Sequence, residues 1–267
     1  MRNKQSRGFR DTRVIRVQTL PLLDAHETLN PSEWGARRMA RVGLVGGLGP
    51  ESTLDYYRRL ISAWRREDPL SSPSIVIDSV DHQLAMRLVE DDRPALTEYI
   101  LESLYRLHGA GASFGAITSN ATHLVFERLA PRTPIPLINI VEVCMAEARR
   151  LNLKRLGILG TRFVTEGRLY PAAAEPCGIK IVVPPERDRT WLHERYVGEL
   201  VRGVFRDETR RGVVAMAERL RNAKAIDGVI LGGTELPLLM TEPTIAGLPV
   251  LDTTGLHVAA IIRRLAA

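Results

Sequence analysis

A chain of 267 residues, 45% hydrophobic and 25% charged, has ordinary globular composition and can bury a core in one two-lobed domain or two small ones. Its net charge of +6 comes from 37 Lys and Arg against 31 Asp and Glu, and its lack of any apolar run long enough to span a bilayer argues against a membrane partner. Two cysteines, Cys144 and Cys177, make neither a disulfide framework nor a Cys-x-x-Cys metal site, and fit a reducing, cytoplasmic compartment.

Much of the positive charge comes early, at Arg2, Lys4, Arg7, Arg10, Arg13 and Arg16, and again at Arg37, Arg38 and Arg41. Such an arm suits nucleic acid, but no aromatic stacking motif accompanies it, so a solvated tail is preferred and no nucleic-acid partner is expected. Asp11 and Asp24 argue mildly against a transit peptide. Residues 1–38 show no strand or helix period and are expected to form a poorly ordered N-terminal extension, with Met39 directly before the first strong strand.

From Arg41 the pattern is regular α/β. VGLVGG (42–47) reads as a strand and LDYYRRLISAW (54–64) as an amphipathic helix with Pro50 and Ser52 near its start. SIVIDSV (74–80) is a strand, PALTEYILESLYRLHGAG (94–111) a long helix, FGAIT (114–118) a strand, THLVFERLA (122–130) a short helix, IPLINI (135–140) a strand and VEVCMAEARRL (141–151) a helix. The pattern then restarts. RLGILGT (155–161) is a strand, GRLYPAAAEPCG (167–178) contains a helix and KIVVP (180–184) is a strand. Residues 189–223 are helical with a break near Gly212, DGVILGGTEL (227–236) is strand plus turn, LPVLD (248–252) a strand and GLHVAAIIRRLAA (255–267) the closing helix. Strands alternating with helices predict parallel sheets.

The restart is an internal repeat. Gly46 to Ser119 and Gly160 to Gly233 are both 73 residues (119 − 46 and 233 − 160), and GLVGG, AITSNATH and IPLINI recur in order as ILGT, VILGGTEL and LPVLDT. The reading is two Rossmann-like lobes about a pseudo-twofold axis, with strand ends from both pointing into one cleft. The first lobe takes residues 39–140 plus 253–267, and the second takes 141–252. The alternative is chance agreement among βα units of similar length.

Three polar turns carry candidate chemistry. GGLGPEST (46–53) lacks both the dinucleotide fingerprint and the P-loop lysine; it is either a loop whose N–H groups bind a carboxylate or a tight turn. SNATH (119–123) and GGTELP (232–237) occupy matching places, which suggests a substrate held between them. Helix capping by Ser119 or Thr122, a buried helix histidine at 123 and a dipole-favoured Glu235 are the plainer alternatives. In GTRFVT (160–165), Thr161 and Thr165 are placed to bind a carboxylate and Arg162 to neutralise it, although a surface arginine is commoner. Asp252-Thr253-Thr254 reads as the cap of the last helix. His82, His108 and His193 form no His-x-x-x-His pair, so no metal is expected.

GLVGGLGPESTLDYYRRL, SNATH, LGILGTRF and VILGGTELPLL resemble the aspartate/glutamate racemase superfamily, in its amino-acid racemase branch, over about residues 40–267. The resemblance implies two α/β lobes, an active site in the cleft, no cofactor, and two cysteine bases acting on opposite faces of the substrate. Those cysteines would fall at Ser119 and Gly233, so both customary thiols are missing. A serine hydroxyl is far less acidic than a thiol and needs its own activating base, and Gly233 carries no proton-bearing group. The catalytic candidates are Ser119, position 233, Glu235 and His123. Substrate binding is assigned to Gly47, Gly49, Ser52, Thr53, Asn120, Ala121, Thr122, Thr161, Arg162, Thr165, Gly232 and Thr234. The expected function is cofactor-independent racemisation or epimerisation of a small amino acid or dicarboxylate. The alternatives are a lyase or decarboxylase on the same scaffold and a non-catalytic carboxylate binder. The expected partners are that small substrate and, as a homodimer, a second copy of the chain. Restoring both thiols, by Ser119→Cys with Gly233→Cys, is expected to raise racemisation.

Overall fold

The computed structural model describes residues 40–267; the expected N-terminal extension, 1–38, lies outside them. The described chain opens with β1 (Arg41–Gly46), whose side chains alternate between layers: Val42 and Leu44 serve one face and Val45 the other. After it Gly47 adopts a φ of +76° and gives its N–H to Thr53 Oγ1 at 2.9 Å. This left-handed turn delivers the chain at once into α1 (Pro50–Glu67), with Pro50 in its first turn.

β2 (Ser74–Ser79), α2 (His82–Asp91) and α3 (Arg93–Gly109) follow. Asp81 and Asp92 start the two helices, their carboxylates accepting from Leu84 N and Ala95 N at 2.9 Å. β3 (Phe114–Ile117) runs into a 3₁₀ turn (Ala121–Val125) and the one-turn α4 (Phe126–Leu129). The strand expected over 135–140 shrinks to β4 (Leu137–Ile138), because Asn139 Oδ1 accepts from Val141 N at 2.9 Å and begins α5 (Ile140–Arg150).

The second half holds β5 (Arg155–Leu159), α6 (Arg162–Glu166), α7 (Leu169–Ala174), β6 (Lys180–Val182), α8 (Glu186–Gly198), α9 (Asp207–Lys224), β7 (Gly228–Leu231), α10 (Leu236–Leu239), β8 (Thr244–Ile245), β9 (Leu248–Asp252) and α11 (Thr253–Ala266). The helical break expected near Gly212 falls instead between α8 and α9, where Gly203 turns with φ +73°. Gly212 lies inside α9, where a side chain would run into the Trp191 ring of α8, so this glycine lets the two helices approach. Asp252 caps α11 as expected, accepting from Gly255 N at 2.9 Å.

The strands form two sheets, in the orders β2-β1-β3-β4 and β6-β5-β7-β9-β8, parallel throughout except for the edge pair β8–β9. With the edge strand β8 set aside, the strands of each half thus take the same order. Register agrees as well: Val42 pairs with Phe114 and Leu156 with Gly228, each 72 residues on (114 − 42 and 228 − 156). The N–H groups of Thr118 and Gly232 then bond to carbonyls at the C-terminal ends of the neighbouring strands, at Val45 and Leu159.

Helices cover both faces of the first sheet. Tyr56, Leu60 and Trp64 of α1 and Val258, Ile261, Ile262 and Leu265 of α11 pack on Val42, Leu44 and Phe114. Leu101, Leu104 and Leu107 of α3 belong to the cluster with Val45 and Ile117 on the other side. That cluster continues through Val141, Met145 and Tyr170 to Ile158 and Ile230 of the second sheet, so one apolar core joins the halves. Each fully buried large side chain contributes roughly 1.5–3 kcal/mol. The Arg59 guanidinium reinforces the α1–α11 corner, reaching Asp55 at 2.7 Å and Asp252 at 2.5 Å.

Candidate active site

A cavity of about 280 Å³ lies between the turns that follow β3 and β7. Its walls come from the C-terminal strand ends of both sheets, as open parallel sheets favour. Ser119, Asn120 and Ala121 line it from the first sheet, and Thr161, Gly232, Gly233, Thr234 and Glu235 from the second. Thr234 Oγ1 reaches the Thr118 carbonyl at 3.4 Å, so the two turns touch directly. Eight of the sequence-derived candidates therefore share one cavity wall or the other, position 119 and position 233 among them.

The remaining candidates stand behind the wall. Gly47 and Thr53 hold the first turn together: besides accepting from Gly47 N, Thr53 Oγ1 donates to the Gly49 carbonyl at 3.0 Å. Gly49 lies so close under Glu235 that a Cβ there would collide with its Oε1, and Ser52 Oγ donates to the Gly49 carbonyl at 2.9 Å. Thr165 spends its hydroxyl on the Thr161 carbonyl, one helical turn back. Arg162 is not free to neutralise a substrate, because it pairs with Glu90 of α2 at the rim. Thr122 is fully buried.

His123 is also removed from the cavity, and its chemistry explains why. It is 1% exposed and stacked on Phe126. Nδ1 donates to the Ser119 carbonyl at 2.7 Å, and Nε2 accepts from Ile140 N at 3.4 Å. Both nitrogens of a neutral ring are thereby committed, and burial lowers the pKa to about 4. The side chain fastens the SNATH turn to the start of α5 instead of moving protons. Asn120, although in the wall, is similarly tied: Oδ1 accepts from Tyr170 Oη at 2.5 Å, and Nδ2 donates to Thr253 Oγ1 at 3.0 Å.

The rest of the lining escaped the sequence reading. His82, Gln83, Met86, Arg87 and Glu90 come from α2, and His193, Tyr196 and Val197 from α8, with Arg202 in the turn beyond. The helix α2 was legible, since Asp81 precedes apolar residues at 84, 85, 88 and 89. His82 Nδ1 donates to the Leu48 carbonyl at 2.9 Å, which leaves Nε2 without that partner. Thr161 Oγ1 and His193 Nδ1 are buried without a hydrogen-bond partner among the described residues. Burial, aided by the Arg162 charge, depresses the His193 pKa.

Residues 45–261 match the family model for Asp/Glu/hydantoin racemases. The chain belongs to that family. Among solved structures it is similar to a candidate Asp/Glu racemase from Yersinia pestis, at 27% identity and a TM-score of 0.77 over 86% of this chain and 100% of that one. An aspartate racemase homologue from Pyrococcus horikoshii OT3 follows at 26% identity and a TM-score of 0.72, with the same coverage of 86% and 100%. A glutamate racemase from Francisella tularensis, solved with D-glutamate, shares the fold at a TM-score of 0.62 and 14% identity, over 85% of this chain and 81% of that one.

Within this racemase fold the two cysteines of the chain stand apart from the cavity wall. Cys144 is buried in α5, where burial pushes its thiol well above the ordinary range, and Cys177 packs its Sγ 3.6 Å from the Ala173 carbonyl. Position 233 is occupied in another way. A Cβ on Gly233 would lie 2.5 Å from Tyr196 Cε2 and 2.6 Å from Tyr196 Oη. The phenol therefore fills the space that a side chain at 233 would take. Tyr196 Oη donates to Glu235 Oε2, which Thr234 Oγ1 also reaches at 3.3 Å. Glu235 is 2% exposed and Tyr196 5%. Burial raises the Glu235 pKa; burial and the adjacent carboxylate raise that of Tyr196.

Proposed function

We propose that this racemase-family protein moves the α-proton of a small amino acid or dicarboxylate without a cofactor, as a racemase or epimerase, in the cavity between the two strand-end turns. The observation that carries the reading is the meeting of Ser119 and Gly233 in one cleft, one from each sheet. The size suits a small ligand. Arg87 and Arg202, residues of the lining, suit a carboxylate, and the Thr161 hydroxyl and His193 Nδ1, without a partner among the described residues, suit a polar ligand. On the first-sheet side, Ser119 takes the place of the expected thiol. A serine needs a base, and the lining residue His82, whose Nδ1 bonds to the Leu48 carbonyl, is the imidazole proposed to serve through Nε2. The glutamate racemase relative was solved with D-glutamate, and an acidic amino acid is the first substrate to try here.

The test is a panel of amino and dicarboxylic acids incubated in D2O with the purified chain, followed by proton NMR for α-deuterium and by polarimetry. Deuterium incorporation with loss of optical rotation is expected for at least one compound. Ser119→Ala should slow it by about 10²-fold or more, the usual range for a lost proton-transfer group. An unchanged rate would remove Ser119 from the chemistry. Deuterium gained with retained rotation, or release of CO2, would instead favour one-sided lyase or decarboxylase chemistry on this scaffold.

A further inference from the structure

We infer that the Tyr196 phenol, hydrogen-bonded to Glu235, is the proton-transfer group on the second-sheet face of the cavity, standing where a side chain at position 233 would project. This deepens the α-proton-transfer reading and rests on it.

Three observations lead there. The ring lies 2.5–2.8 Å from the Cβ that Gly233 lacks, so glycine at 233 and the phenol beside it are two halves of one arrangement. Any larger residue at 233 would displace the ring. Tyr196 lines the cavity together with Glu235. Glu235 is buried among Tyr196, Thr234, Ser52 and the Gly49 backbone, with no Lys or Arg among the described residues bonded to it. A buried carboxylate without a cation is costly, and such sites recur where a proton must be held and released.

The step balances within these groups. The bond from the α-carbon to its hydrogen breaks, and that proton passes to Tyr196 Oη. The proton already on Oη passes along the existing hydrogen bond to Glu235 Oε2, so no free phenolate is formed. The electron pair stays on the substrate as the carbanion. The reverse transfer, Glu235 to Tyr196 to carbon, delivers a proton to the same face. Burial raises the proton affinity of both groups, which strengthens the carboxylate as terminal acceptor.

In a two-sided site each face handles one enantiomer, and this makes the inference separable from the reading beneath it. L- and D-forms of the active amino acid are incubated separately in D2O with native protein, Tyr196→Phe and Glu235→Gln. Phenylalanine keeps the ring against Gly233 and removes only the hydroxyl. Exchange from one enantiomer should fall by about 10²-fold or more in both variants, while exchange from the other keeps the native rate and net racemisation is lost. Native rates for both enantiomers, or an equal fall in both, would overturn the assignment, since a structural defect acts on both faces alike. If the native protein exchanges neither enantiomer of any panel compound, the α-proton-transfer reading fails and takes this assignment with it.

Discussion

Ser119→Cys with Gly233→Cys is expected to yield no thiol racemase until Tyr196 is shortened as well. The sequence alone suggested that restoring two thiols would restore the chemistry. The structure adds an obstacle, because the new Cβ would meet Tyr196 at 2.5 Å and the ring is held by Glu235. Forcing a side chain into such a packed site costs roughly 1–3 kcal/mol and pushes the thiol or the phenol out of place. Adding Tyr196→Ala opens the volume, at a stability cost on the order of 3–5 kcal/mol for the lost ring. The triple variant should then racemise an acidic amino acid at least about 10²-fold faster than the double variant, and iodoacetamide should abolish that gain. The native protein should keep its activity under the same alkylation, because Cys144 is buried and neither cysteine lines the cavity. A double variant as active as the triple would show that Tyr196 does not control the space at 233.

Acidification from pH ~6.5 to ~4 is expected to destabilise the protein by several kcal/mol, through two histidines that fold in neutral form. His123 is one. His257 is the other: it is fully buried in α11, donating from Nε2 to the Ile138 carbonyl at 2.9 Å and accepting the Tyr56 hydroxyl at Nδ1 at 2.8 Å. Burial lowers their pKa values to about 4 and about 3, the nearby His123 adding to the fall at His257. The unfolded chain, with imidazoles near 6.5, binds more protons in that window, so their stabilising contribution is present above pH ~6.5 and is lost as pH falls towards the folded values. At about 1.4 kcal/mol per unit, His123 alone accounts for roughly 3 kcal/mol. Urea midpoints measured between pH ~7 and ~5, above the range where ordinary carboxylates protonate, follow the effect, and His123→Gln and His257→Gln separate it from His193 and Glu235. Constant stability there would contradict neutral burial of the pair.

The fold was legible because periodicity and order survive without contacts. The 73-residue offset became matched strand order and matched terminal hydrogen bonds. Local chemistry misled the reading where packing decides. Gly212 looked like a helix breaker, but its role is to admit Trp191, and Gly203 makes the break. The site was half legible. Turn residues at strand ends announce themselves, so Ser119 and Gly233 could be paired from the repeat. Their neighbours His123 and Arg162 resemble catalytic groups in sequence and differ only in where their polar atoms are spent. Tyr196 was hidden for the opposite reason. In sequence it is one buried aromatic of a helix, and only its approach to a glycine 37 residues later (233 − 196) gives it meaning.

The most direct measurement is a crystal structure of the native protein with an acidic amino acid, or its non-reactive analogue, bound at saturating concentration. The account predicts the ligand between the turns after β3 and β7, its carboxylate towards Thr161, Arg87 or Arg202, and its α-carbon between Ser119 Oγ and Tyr196 Oη. Well-defined ligand density elsewhere, or an α-carbon with Ser119 and Tyr196 on the same side, would contradict it.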